Sequence, residues 1–212
     1  MHSEFAYFFL NPALAVDLGM FELFRFQVED LMLDVNCQDY IGLFFTRPMY
    51  EEGDFAEGQP LLSHALLNPD KRFFECLLLV ANFEANPIIE RDYRGSYIDH
   101  LADTFLHRLP FFIQKKVFFS NKIDLQCVAH MIKVKEVDLD VRNDDDLNPL
   151  EKLCGLKGLP VHIKHYVAKM LLSAGAEVTP TALELTDELV RTSSRVTDEL
   201  FRELLESYTK KK

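Results

Sequence analysis

The chain has 212 residues, and a hydrophobic fraction of 48% supplies enough apolar side chains for a sizeable core, which excludes disorder for most of its length. Its formal net charge is −11 and its pI is near 5.1. This acidity argues against a nucleic-acid partner, because phosphate binding needs clustered Lys and Arg, and it favours a basic patch on a protein partner.

The amino-terminal region predicts a short helix over residues 3–10 that shields an apolar face. Residues 5–16 are apolar and Ala13-Leu14-Ala15 is similar to a signal-peptide cleavage site. However, no Lys or Arg precedes Arg25 and Pro12 interrupts the apolar run, so we expect a helix rather than a signal peptide. No stretch of the sequence has 18 uninterrupted apolar residues, so we expect no membrane insertion.

Helical periodicity recurs along the next part of the chain. Residues 20–33 predict an amphipathic helix. Its apolar stripe consists of Phe21, Phe24, Val28, Leu31 and Met32. After the break at Asn68-Pro69-Asp70, residues 71–80 predict another helix, and residues 109–113 begin a third with Pro110 in its first turn. These segments predict an all-α fold.

The carboxyl-terminal third contains the clearest local pattern. Asp144-Asp145-Asp146-Leu147-Asn148-Pro149-Leu150 predicts a turn followed by a helix with proline in its first turn. Residues 155–160 lengthen the link to the next helix. Met170-Leu171-Leu172-Ser173-Ala174-Gly175-Ala176-Glu177-Val178-Thr179 then predicts a helix end, a glycine cap and an extended backbone. Residues 180–190 and 196–208 predict two charged helices.

The segment Leu171 to Thr179 resembles the end of the second helix of an ankyrin repeat, and residues 138–150 resemble the hairpin and first-helix start that follow it. The ankyrin unit has about 33 residues and consists of a β-turn and two antiparallel helices. One unit cannot bury its own apolar face, so further units must stack on it. The resemblance implies an all-α ankyrin-type helix-turn-helix solenoid with β-turn or hairpin connections and helical caps.

Four degenerate repeats in a single domain over residues 1–212 follow from this resemblance. They span residues 11–42, 58–94, 95–137 and 146–179, and residues 180–208 form a polar carboxyl-terminal cap. In the second, Asn82 takes the place of the cap glycine, since Asn tolerates a left-handed backbone. In the third, His100 matches the family histidine that bonds the neighbouring hairpin backbone. Residues 122–137 exceed the unit length and form either an additional helix, given the spacing of Val128, Met131, Ile132 and Lys135, or a truncated repeat.

Residues 43–57 form an insertion between two hairpin signatures. An ankyrin stack has no room for these residues in its core, so they project at the hairpin edge. Several are large and apolar, which disfavours a plain disordered loop: Phe44, Phe45, Met49, Tyr50 and Phe55. The insertion either folds back as a lid or forms a partner-binding patch.

No catalytic or metal-binding motif in the sequence has the residue types and spacing that its chemistry requires. Asp140 to Glu151 has the length of a calcium loop, but Asp145 stands where a glycine is required. His162 and His165 lack further ligands at zinc spacing. Adjacent residues on a helix, such as Ser63 and His64, point about 100° apart and do not form a nucleophile–base pair. The cysteines are far apart in sequence and indicate core thiols in a reducing, cytoplasmic compartment. If the chain is an effector, that compartment is the cytoplasm of a host cell.

We therefore predict a non-catalytic, monomeric protein-interaction module without cofactor or metal. By resemblance, partners bind at hairpin tips and on the concave face of the first helices. The candidate binding residues combine these tips with the insertion: Asp39, Tyr40, Phe45, Met49, Tyr50, Asp92, Tyr93, Arg94, Asp144 and Asp145. Two rival readings are a targeting or scaffold portion of a larger or multi-component enzyme system, and an enzyme whose site is assembled from the insertion and the third repeat.

Overall fold

The computed structural model describes residues 10–36, 38–39, 56–57, 59–88, 91–92, 103–114, 124–193 and 196–209. These residues are mostly helical, which confirms the predicted all-α class. The chain divides into two units, Met1–Ala102 with Phe119–Asp124 and Asp103–Phe118 with Leu125–Lys212, called unit 1 and unit 2 below.

Unit 1 contains two helix pairs. Helix α1 is Pro12–Asp17, and α2 is Phe21–Arg25, continued by a π-helical turn over Phe26–Asp30. Helix α3 is Leu61–Leu67 and α4 is Arg72–Leu79. The start of α1 has a polar residue followed by proline: the Asn11 side chain accepts a hydrogen bond from Leu14 N at 3.1 Å, which satisfies one of the free N–H groups of the first turn.

The helices of unit 1 pack in two layers, α1 against α3 and α2 against α4. Phe24 and Phe73 are fully buried in the second layer. The Phe73 ring meets the rings of Phe21 and Phe24 edge-on, each with a centroid distance of 5.3 Å, a favoured aromatic geometry. The predicted apolar stripe is correct at Phe24 and Val28 but wrong at Leu31 and Met32, which are exposed because the helical segment ends at Asp30.

Short strands connect the helix pairs of unit 1. Strand β1, Gln38–Asp39, pairs antiparallel with β3, Gln59–Pro60. Strand β2, Ala56–Glu57, pairs antiparallel with β4, Arg91–Asp92. The last two residues of the predicted insertion, 56 and 57, belong to β2. Residues 43–55 of the insertion and residues 3–9 of the helix predicted over residues 3–10 lie outside the described residues.

Unit 2 repeats the two-layer arrangement. Its described helices are α5 (Phe105–Gln114), α6 (Leu125–Val134), α7 (Pro149–Gly155), α8 (Val161–Ser173), α9 (Pro180–Ser193) and α10 (Val196–Thr209). Helix α5 packs on α7 and α7 on α9, whereas α6 packs on α8 and α8 on α10. Residues 156–160 link α7 and α8, and α9 and α10 confirm the two predicted terminal helices.

Two predicted elements are placed differently in unit 2. Helix α5 begins at Phe105, so Pro110 lies inside the helix rather than in the first turn of a helix that starts at Leu109. The helix begins earlier because the Thr104 carbonyl already accepts a hydrogen bond from Arg108 N at 3.2 Å. Two alternatives were predicted for residues 122–137, an additional helix or a truncated repeat. This segment contains α6.

Three helices of the second layer are followed by a left-handed residue: Met32 with φ 50°, Glu136 with φ 48° and Gly175 with φ 110°. After α6 and α8 the chain turns back in the same way, with Val137 N bonded to Ile132 O and Ala176 N to Leu171 O, both at 3.0 Å. These bonds satisfy carbonyl groups of the last helical turn. The expectation of a left-handed Asn82 is wrong, since Asn82 does not have a positive φ.

Candidate functional site

The structure locates only some of the predicted binding residues. Tyr40, Phe45, Met49, Tyr50, Tyr93 and Arg94 lie outside the described residues. Asp39 and Asp92 belong by backbone to β1 and β4. Asp144 and Asp145 are exposed neighbours in one turn before α7, so the structure brings these two together.

This acidic turn, Asp144 to Asp146, is held in place by Asn143. The buried Asn143 side chain accepts hydrogen bonds through Oδ1 from Asp145 N at 3.1 Å and Leu147 N at 3.0 Å. Its carbonyl accepts a bond from Asp146 N at 2.9 Å, and Asp146 has a left-handed φ of 59°. Asp tolerates this conformation better than most residues. The exposed carboxylates are thus carried on an ordered backbone.

A buried charge cluster lies beneath the turn. Asp103 is fully buried and both its oxygens accept from Lys152 Nζ, at 2.6 and 2.7 Å. Asn143 Nδ2 donates to Asp103 Oδ1 at 2.9 Å, and Arg108 Nη1 lies 3.8 Å from Oδ2. Burial lowers the pKa of Arg108 to about 10. Asn143 therefore joins the turn to a carboxylate that faces two cations.

A second buried carboxylate, Glu151, links the starts of α7 and α9. Its Oε2 accepts from Asn148 N, and Asn148 Oδ1 accepts from Glu151 N, both at 2.9 Å, which forms a capping box. Its Oε1 accepts the Thr179 hydroxyl at 2.6 Å, and Arg142 Nη1 lies 3.3 Å from Oε2. Glu151 is therefore committed to joining helix starts, which rules out the role that a calcium loop would give it.

His107 makes the corresponding link between α5 and the segment that precedes α7. Thr104 N donates to His107 Nδ1 at 3.2 Å, so Nδ1 is the acceptor and Nε2 carries the proton. The Thr104 hydroxyl also bonds Nδ1, at 2.8 Å, and Nε2 donates to the Leu147 carbonyl at 2.9 Å. Burial lowers the pKa of His107, which keeps the ring neutral.

The sequence interpretation assigned this backbone contact to His100, which lies outside the described residues. The signal for His107 was present: Thr104-Phe105-Leu106-His107 has the three-residue spacing of the Thr-Pro-Leu-His start of ankyrin repeats, with Phe in place of proline.

Unit 1 carries an apolar groove that the sequence interpretation missed. It lies between the ends of the π-helical turn and α4, is open to solvent, and has a volume of about 360 Å³. Its lining residues are Val28, Glu29, Met32, Leu33, Cys76, Leu79, Val80 and Asn82. Met32 is 84% exposed and Leu79 is 85% exposed, far more than expected for large apolar side chains on the predicted helices.

The described residues do not assemble the catalytic pairs that were considered. The Ser63 hydroxyl donates to the Pro60 carbonyl at 2.7 Å, whereas His64 Nδ1 lies 2.8 Å from Asp17 Oδ1. Burial raises the pKa of the Cys76 thiol, and raises that of Cys154 to about 11, which makes both poor nucleophiles at neutral pH.

Within the part of the chain that the structure describes, no group of three or more His, Cys, Asp or Glu residues could hold a metal ion. Among the same residues, no helix has the length and apolar character needed to cross a bilayer. No protein-family model, curated protein or solved structure gave a match to this chain.

Proposed function

We propose that the chain is a degenerate ankyrin-type solenoid that acts as a non-catalytic protein-recognition module. The first support is a contact that recurs after second-layer helices in both units. Asp34 Oδ1 accepts from Asn36 N at 2.9 Å, and Asp138 Oδ1 accepts from Asp140 N at 2.8 Å. Each acidic residue lies two positions after a left-handed residue, Met32 or Glu136. Contacts that recur at equivalent positions are expected of a repeat.

The packing of helices gives a second support. In each unit, first helices lie beside first helices and second helices beside second helices. This is how stacked two-helix units bury faces that a single unit would expose. Within unit 2, His107 and Glu151 both tie the beginning of one first helix to the connection before a neighbouring one.

The observation that carries the function is the ordered, exposed acidic turn of unit 2. Asn143 and the cluster at Asp103 fix the backbone, yet the side chains of Asp144 and Asp145 remain in solvent. Fixing the turn before a partner arrives reduces the ordering entropy lost on binding. The negative carboxylates favour a basic patch on the partner and increase its association rate.

The test is a quantitative capture from cell lysate with the intact chain, an Asp144→Lys/Asp145→Lys variant, and a variant with residues 43–57 replaced by a short Gly/Ser link. Glu199→Lys/Glu203→Lys is the matched control, because it makes the same charge change on the exposed surface of α10. All variants must first show equal helicity and melting.

We expect one basic protein to be retained by the intact chain and the control and lost by the turn variant. Loss with the 43–57 replacement as well would make the insertion a recognition loop, whereas retention would make it a lid. Equal capture by the turn variant and the control would contradict a role for the turn. A failure of the intact chain to retain any protein would contradict the recognition function itself.

A further inference from the structure

The groove of unit 1 combines an apolar floor with walls that remain in solvent. Val28 and Cys76, which line the groove, are buried at 7% and 8% exposure. Met32 and Leu79 stand in solvent at the rim. A volume of about 360 Å³ falls in the range of sites that take a ligand group, since ligand pockets enclose roughly 300–1,000 Å³.

Negative charge predominates around the groove, although Arg25 Nε lies 3.8 Å from Glu29 Oε2. Two helical segments end there, and the carbonyl end of a helix carries a partial negative charge. Both segments lie wholly within the described residues, and neither has a Lys, Arg or His in its last turn to offset that charge. Glu29 lines the groove, and Asp30 and Glu75 are exposed on the same two segments.

Met32 at the rim of the groove combines a left-handed backbone with an exposed apolar side chain. It holds a left-handed φ of 50°, at the place after its helix that Gly175 occupies after α8. A bulky side chain is disfavoured in this conformation, and glycine would relieve the cost without changing the turn. The chain nevertheless presents an apolar methionine there, almost fully exposed. Methionine is an adaptable contact residue for apolar partners.

We propose that this groove binds a short basic segment of another protein, which inserts an apolar side chain beside Met32 and Leu79 and places Lys or Arg against Glu29 and the two helix ends. Charge complementarity favours this occupant, because the carboxylates of Glu29, Asp30 and Glu75 and the two helix ends outweigh the single charge of Arg25. Val28 and Cys76 give the floor an apolar part that takes the inserted side chain. The inference goes beyond the proposed function, since it uses none of the residues of the acidic turn in unit 2.

The test uses fluorescence anisotropy with labelled peptides of equal length and defined composition. The first peptide has Leu residues spaced among Lys, the second has the same Lys residues with Ser in place of Leu, and the third has the same Leu residues with Glu in place of Lys. We expect the first peptide to bind at least tenfold more tightly than either of the others at physiological ionic strength.

Variants locate the binding. Leu79→Ser is compared with Leu18→Ser, another exposed leucine of unit 1 that does not line the groove, and Glu29→Lys is compared with Glu22→Lys, which makes the same charge change one helical segment earlier. We expect at least a fivefold loss of affinity for Leu79→Ser and Glu29→Lys, and less than a twofold change for the two controls. Asp144→Lys/Asp145→Lys should leave this affinity within twofold after correction for net charge.

Three results would overturn the proposal. The first is no binding of the Leu–Lys peptide, and the second is equal loss in groove and control variants, which indicates charge attraction alone. The third is a dimer of the intact chain in sedimentation equilibrium that Leu79→Ser dissociates, because a second copy would then be the occupant. Each leaves the recognition role of the acidic turn to be judged on its own experiment.

Discussion

In both units a residue with a left-handed backbone follows a helical segment, but the side chain at that position differs. In unit 2, Gly175 takes the left-handed position after α8. The carboxylates of Asp103 and Glu151 accept hydrogen bonds from polar groups near the starts of other helices. In unit 1, Met32 takes the left-handed position after the π-helical turn, and an apolar groove remains open beside it. At this position unit 2 carries glycine after α8 and the charged, exposed Glu136 after α6, whereas unit 1 carries an apolar side chain that is exposed to solvent.

This difference separates structural residues from candidate binding residues. A buried carboxylate with short bonds to a lysine and an asparagine is explained by folding alone, because removing it would strand the cations. Folding does not explain Met32 in the same way, because its left-handed backbone disfavours a bulky side chain and that side chain is exposed. Substitution of the buried polar residues of unit 2 should therefore lower the free energy of unfolding, whereas substitution of the exposed groove residues should change it little.

The largest expected effect is at Asp103. Asp103→Ala removes the carboxylate that faces Lys152 and Arg108, and breaking a buried ion pair from one side costs roughly 3–5 kcal/mol. The free energy of unfolding, measured by urea denaturation, should fall by about that amount. Asp144→Ala, on the exposed turn just above, is the control and should change it by less than about 0.5 kcal/mol. A loss of under about 1 kcal/mol at Asp103 would contradict the cluster.

The next effect is a pH dependence in unit 2. Burial lowers the pKa of His107 below its ordinary value of 6.5, so the unfolded chain binds a proton more readily than the folded one. The stability that the neutral ring contributes is fully present above pH 6.5 and is lost as pH falls through the lower folded pKa. His165, whose pKa burial also lowers, adds a change of the same sign.

Urea titrations between pH 7.5 and 5 measure this dependence. His107→Gln should flatten the decline in unfolding free energy at the low-pH end. It should lower stability at pH 7.5 by about 1–3 kcal/mol, because one amide group does not reproduce both bonds of the ring, Thr104 N to Nδ1 and Nε2 to the Leu147 carbonyl. His162→Gln, at an exposed position of α8, should leave the slope as it is in the intact chain. An unchanged slope in the His107 variant would show that the ring is not held neutral by the fold.

A smaller pair of effects has opposite signs in the two units. Gly175→Ala places a Cβ at φ 110°, and although its position meets no atom within 4 Å, the backbone strain should lower stability by roughly 1 kcal/mol. Met32→Gly relieves the same kind of strain and should raise stability by roughly 1 kcal/mol. Thermal unfolding compares them directly. Equal signs would show that Met32 is retained for packing.

The smallest stability effect is expected at Leu79. Its side chain is 85% exposed, so Leu79→Ser removes little buried area and should change the unfolding free energy by less than about 0.5 kcal/mol. Leu77→Ser, two positions earlier and fully buried, is the contrast and should cost at least about 2 kcal/mol. A large loss at Leu79 would make the groove a part of the core.

Local sequence signals predicted much of the fold. The acidic turn followed by Asn148-Pro149 identified the start of α7, and Gly175 identified the end of α8, because the residues that cap a helix lie next to its ends in the sequence. The terminal helices followed from the proline at 180 and the break near residue 194. All-α character followed from the apolar periodicity of these segments.

Predictions failed where one residue stands in for another or where tertiary contacts decide. The start of α5 was missed because Phe105 replaces the proline that usually marks it, although Thr104 and His107 keep their spacing. The exposure of Met32 was missed because periodicity does not reveal that the helical segment ends at Asp30. The pairing of Asp103 with Lys152 joins residues far apart in sequence, and no local pattern specifies it.

Site-specific photo-cross-linking from the acidic turn tests the central claim of protein recognition most directly. A photoreactive amino acid replaces Asp145 in one protein and Glu203, an exposed residue of α10, in another, and both are irradiated in the same cell lysate. The account predicts one protein with a basic surface cross-linked from position 145 and absent from position 203. The same cross-links from both positions, or none from position 145, would contradict it.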